Sequence, residues 1–160
     1  MKQVKDFIEN ILLEQLNKNE EFYMIRKHRN FFNSLIVNLE IDKKEKIEEI
    51  EEIFKKVALR IIGDYFNIGR IDATIALSIE IAKYFSKKNV NQTEEISRWV
   101  SEIITQNTEL HSFFEKNQEH IGGIGKKPAN RSSILKNTIE NFIIIGGVGV
   151  GSVALYELFK

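Results

Sequence analysis

The chain has 160 residues, enough for one domain with a substantial core and too few for two comfortable ones. Its 42% hydrophobic and 29% charged residues fit a soluble globular body and exclude a disordered chain. Lys and Arg number 23 and so do Asp and Glu; this zero net charge argues against a general nucleic-acid binder, and the absence of Cys excludes disulfides, thiol nucleophiles and thiolate metal sites.

Residues 1–6 carry no long apolar run and are not expected to be a secretory signal. Val4, Phe7, Ile8, Ile11, Leu12 and Leu16 recur at spacings of three and four, the stripe of an amphipathic helix. Asn17-Lys18-Asn19 marks a turn. A second helix is expected over residues 21–39, with Ile25, Phe32, Leu35 and Leu39 on one face and the polar run Arg26-Lys27-His28-Arg29-Asn30 meeting solvent. Asp42, with Glu45 three residues on, offers an Asp version of the capping box for the next helix. There Ile47, Ile50, Ile53, Phe54, Val57 and Ile61 form a clean seam, and Glu48, Glu49, Glu51 and Glu52 its solvated side.

Gly63 and Asp64 weaken that helix, and Asn67 offers a fresh N-cap. Over residues 71–85 apolar side chains fall on nearly every face, the pattern of a central helix wrapped by its neighbours. Asn91 with Glu94 can cap a helix carrying Ile96, Trp99, Val100, Ile103 and Ile104. Asn107-Thr108 breaks it, and Leu110, Phe113 and Phe114 make a short helix beyond. Gly122, Gly123, Gly125 and Pro128 mark residues 121–131 as a flexible linker, followed by a polar helical stretch and an apolar tail over residues 132–160.

Between Phe142 and Phe159 the only charge is Glu157, and as a helix this run spans about 27 Å, close to the hydrocarbon thickness of a bilayer. Lys126, Lys127, Arg131 and Lys136 precede it and Lys160 ends it, while Gly147 and Gly151 make a Gly-x-x-x-Gly pair suited to packing in lipid. This is the layout of a membrane anchor; a soluble last helix, in the core or folded onto the body, is the alternative. The fold class is therefore all-α, a helical bundle over residues 1–120 around a central hydrophobic helix, plus a C-terminal apolar tail helix. His28, His111 and His120 show no metal spacing, and Ser112, Ser132 and Ser133 lack a nucleophile context. Residues 146–152 mimic a phosphate loop without its Lys. No enzyme activity, cofactor or metal is expected.

The turn Asn67-Ile68-Gly69-Arg70-Ile71 resembles the Asn-Trp-Gly-Arg-Ile signature in the first homology region of the Bcl-2 family of apoptosis regulators, with Ile68 in place of Trp. Its surroundings resemble the family in order. Lys5-Asp6-Phe7-Ile8 onward is similar to the fourth homology region, and Arg29-Asn30-Phe31-Phe32-Asn33-Ser34-Leu35 to the end of the second helix. Residues 99–117 are similar to the helices around the second homology region, although Gln118-Glu119-His120 replaces its Gly-Gly-Trp. The apolar tail is similar to the family's C-terminal anchor.

The resemblance implies a Bcl-2-like bundle that grips a partner's Bcl-2 homology 3 helix in a surface groove. By position Phe32, Leu35, Val57 and Ile61 would line it, although apolar residues at that spacing also suit a core. Gly69 would let the ligand backbone approach, Asn67 would cap the central helix and bond the ligand, and Arg70 would pair with the ligand's Asp. Asp72 stands where the family has an apolar residue, which would alter groove polarity. The Leu-x-x-x-Gly-Asp motif of killing members is missing, with Glu20-Glu21-Phe22 where it would end. A survival protein follows from the resemblance, sequestering pro-death helices and Bax/Bak-type effectors. It would sit tail-anchored on the cytosolic face of the mitochondrial outer membrane or the endoplasmic reticulum, with a soluble pool and a homodimer as open alternatives. A pore-forming effector and a scaffold with an occluded groove remain the alternative functions.

Overall fold

The computed structural model describes residues 1–17 and 21–122, and all regular structure among them is helical. The apolar tail with Phe142, Gly147, Gly151 and Phe159, the polar stretch before it and nearly all of the linker lie outside the described residues. Among the described residues no helix is long and apolar enough to cross a membrane.

The first helix, α1 (Lys2–Asn17), buries Val4, Ile8, Ile11 and Leu12, as its stripe dictates. Gln15 is buried too, and its Oε1 accepts the Phe22 N–H at 2.7 Å, tying the end of α1 to the start of the next segment. The helix expected over residues 21–39 is two helices, α2 (Tyr23–Lys27) and α3 (Arg29–Asn38), broken at His28, whose backbone (φ −117°, ψ 43°) is not helical. Phe22, Met24 and Ile25 before the break and Phe32 and Leu35 after it are all buried in the core. His28 itself is half-buried instead of meeting solvent, while Arg26, Lys27, Arg29 and Asn30 are exposed.

Asp42 is not the cap of the following helix. Ile41 is fully buried and pins residues 41–43 as a 3₁₀ turn that contains Asp42. The helix α4 (Ile47–Ile62) begins later, where the Glu49 carboxylate accepts the Lys46 N–H at 3.2 Å. Its seam is as expected: Ile50, Phe54, Val57 and Ile61 are buried, with Ile47 and Ile53 packed at the margin.

Gly63 (φ 59°) closes α4, and α5 (Ile68–Lys87) starts behind the Asn67 cap. Every residue from Gly69 to Ile79 is buried, so α5 is the central helix. Its buried hydroxyls bond within the helix, Thr74 to the Arg70 carbonyl at 3.0 Å and Ser78 to the Ile75 carbonyl at 2.6 Å. The helix α6 (Thr93–Gln106) follows Asn91, whose Oδ1 accepts from the Thr93 N–H and hydroxyl; Glu94 pairs with Lys5 and closes no capping box. Trp99 on α6 is fully buried against Phe54, ring centroids 5.8 Å apart. Asn107 accepts from the Glu109 and Leu110 N–H groups to start α7 (Thr108–Asn117), whose Phe114 meets Phe7 edge-on. Helices α1, α3, α4 and α6 all pack on α5.

Candidate ligand-binding groove

The seven residues singled out by position fall on three elements that share α5. Phe32 and Leu35 come from α3, Val57 and Ile61 from α4, and Asn67, Gly69 and Arg70 from the start of α5. Helices α3 and α4 both lie against α5 and touch each other little. The four apolar residues are buried, at 3%, 1%, 3% and 7% exposure in chain order, and belong to the continuous core cluster.

At the α4–α5 corner the local geometry follows from the sequence. Asn67 is extended (φ −144°, ψ 172°), and its Oδ1 accepts the Arg70 N–H at 3.0 Å, one of the donors a helix start leaves open. Gly69 is buried beside it. Arg70 is only 6% exposed, and its side chain turns back to α4, where Nη1 donates to the Ile62 carbonyl at 2.9 Å. A cation at the last carbonyl of a helix is favourable, because the C-terminal end carries partial negative charge. The Arg70 Nε is buried and has no hydrogen-bond partner. A Cβ on Gly63 would stand 2.6 Å from Arg70 Nη1, so the glycine leaves the space that the guanidinium fills.

Asp72 lies two residues beyond Arg70 on the same helix. Two residues along a helix turn the side chain by about 200°. Its carboxylate is 4% exposed and accepts the Gly122 N–H at 2.9 Å, on a segment 50 residues away.

Sequence reasoning missed two features here. Phe66 and Phe113 pack edge-on at 5.6 Å, linking the corner to α7. Gly63 was legible only as a helix breaker, and nothing in its sequence context pointed to Arg70. The outer wall of α4 is tied to α6 by the ion pairs Lys55–Glu102 at 2.7 Å and Arg98–Glu51 at 3.6 Å, while Lys55 also bonds Glu51 within α4 and Arg98 bonds Glu95 and Glu102 within α6. Burial pushes the Glu102 carboxyl up, but the hydrogen bonds from Lys55 and Arg98 outweigh it and hold it below the usual range. Among the described residues no cluster of three His, Asp or Glu could hold a metal.

The model of the Bcl-2 family, described as apoptosis regulator proteins, matches residues 22–118. No curated protein and no solved structure matches the chain. The match opens at Phe22, just before α2, and runs through all seven groove candidates to the end of α7, and with the all-helical bundle around a buried α5 it establishes that the chain belongs to the Bcl-2 family of apoptosis regulators.

Proposed function

We propose that the chain is a survival-type member that inhibits mitochondrial apoptosis by holding pro-apoptotic Bcl-2 homology 3 helices, including those of Bax/Bak-type effectors, in the seam between α3 and α4. The observation that supports this reading is that α3 and α4 both pack on the buried α5 with little contact between them, and that the Arg70 guanidinium lies at the end of α4. An amphipathic helix entering there would spread α3 from α4, gaining contact with Phe32, Leu35, Val57 and Ile61, and would offer its carboxylate to Arg70. The missing Gly-Asp motif before α2 favours the survival role over the killing one. The apolar tail would hold the body on the cytosolic face of the outer mitochondrial membrane.

A second reading has an observation of its own. All four apolar candidates are buried, as in a scaffold whose groove is occluded and whose partner binds elsewhere. Titrating the purified protein with a panel of pro-death helical peptides separates the two. Micromolar or tighter binding, weakened when the peptide's Asp is replaced by Ala, is expected from the first reading. Silence across the whole panel sinks it and leaves the second.

A further inference from the structure

We infer that Gly63 is a selectivity residue of the groove. It seats Arg70 in a closed pose on the last carbonyl of α4, from which a ligand carboxylate must draw it. The inference rests on the groove reading above. Three observations meet at one point. Arg70 is 6% exposed, so a carboxylate arriving in the seam does not meet an open cation. One face of the guanidinium fork is occupied, since Nη1 already donates to the Ile62 carbonyl at 2.9 Å. The seat exists only because position 63 has no side chain: a Cβ there would approach Nη1 to 2.6 Å.

The closed pose is incomplete. The Nε–H is buried and bonds to nothing, so the guanidinium forms one good bond and leaves a second donor unmet. A carboxylate can satisfy two parallel N–H donors of an Arg together, which a single backbone carbonyl does not. Opening to solvent trades the Ile62 carbonyl for water, whereas a ligand carboxylate meets two N–H donors at once, so a ligand with an anion gains more from opening than an apolar helix without one. The latch sorts ligands by that charge, because a ligand shifts an equilibrium only by its differential affinity for the two states.

Two helical peptides test this, one with a single Asp at the edge of its apolar face and its Asp→Asn counterpart, each titrated against the wild-type chain and Gly63→Ala. Freeing Arg70 should tighten the Asp peptide about tenfold, the factor for a free chain that is open about a tenth of the time, and leave the Asn peptide unchanged. Because Gly63 has φ 59°, the Ala variant is strained, so wild-type protein with ¹⁵N-labelled arginine supplies a second measurement. Without peptide the Arg70 Hε should exchange with solvent more slowly than that of the exposed Arg26, and it should shift when the Asp peptide binds. Equal gains for both peptides, or Arg70 exchange as fast as that of Arg26, overturns the latch and leaves the groove reading intact. No binding of either peptide to either protein overturns the groove reading, and the selectivity role with it.

Discussion

Arg70 and Asp72 stand two residues apart on one buried helix, and the comparison of their surroundings teaches what the charges are for. Arg70 reaches back eight residues to the Ile62 carbonyl at the end of α4. Asp72 reaches forward fifty to the Gly122 N–H. Each therefore meets a main-chain group with no partner in a helix ladder, and each contact sits at a glycine with positive φ, Gly63 at 59° and Gly122 at 69°. The two charges tie the start of α5 to the end of α4 and to the segment after α7. Of the two, Arg70 keeps a buried donor, its Nε–H, without a partner, and the proposed ligand role rests on that donor.

The strongest way to break the comparison is to reverse a charge on one side and soften it on the other. Arg70→Glu places a buried carboxylate against the Ile62 carbonyl and should cost about 3–5 kcal/mol of stability, the range for an uncompensated buried charge. Asp72→Asn keeps an oxygen that can accept from Gly122 and should cost about 1 kcal/mol, without changing the affinity for an acidic helix. Urea unfolding followed by circular dichroism, with peptide titration, reads both. An Asp72→Asn variant that loses peptide affinity would falsify the assignment of Asp72 to the far side of α5.

The glycines give the next effect. At Gly122 a Cβ would come within 2.7 Å of Ile11 Cδ1 on α1, in a backbone region that side chains rarely adopt. Gly122→Ala should cost about 1–3 kcal/mol in thermal or urea unfolding, combining that strain with a shift of the Ile11 side chain. It should leave the acidic-to-neutral peptide discrimination untouched, where Gly63→Ala reduces general stability and sharpens that discrimination. Equal effects of the two glycines on discrimination would erase the contrast between the two ends.

Much of this was legible in the sequence, and the limits have physical causes. The seam of α4, the Asn67 cap and the all-round apolar α5 are set by local periodicity and capping chemistry, so the residues announce them. The break at His28 was not legible, because the apolar spacing of Ile25, Phe32 and Leu35 continues across it and no Gly or Pro marks it. Asp42 has the right chemistry for a cap, but the burial of Ile41 bends the chain there and delays α4 to Ile47. The seven groove candidates were found by position in a known pattern, while the partners of Arg70 and Asp72 depend on contacts 8 and 50 residues distant, which spacing along the chain does not encode.

The smallest expected effect concerns His28 and Glu80, whose burial is not met by main-chain partners as it is for Arg70 and Asp72. Burial, helped by Lys27, holds the His28 imidazole below its ordinary value of 6.5, and its Nε2 is buried without a partner. The folded state therefore disfavours the proton, so this contribution to stability is full above about pH 6.5 and is lost as pH falls through the lowered folded value. Glu80 runs the other way. Burial raises its carboxyl above the usual 4.5, with Lys83 at 3.5 Å opposing, so its contribution is full below pH 4.5 and is lost as pH rises through the raised value. On acidification the chain loses stability through His28 and gains it through Glu80, two contributions of opposite sign. His28→Gln should flatten the loss, whose slope for one proton is at most about 1.4 kcal/mol per pH unit. Glu80→Gln should raise stability at neutral pH and leave the acid loss steeper, because the opposing gain is gone. Unfolding midpoints measured from pH 7.5 down to 4.5 would show the two changes with opposite sign, and parallel curves for the three proteins would place the acid sensitivity elsewhere.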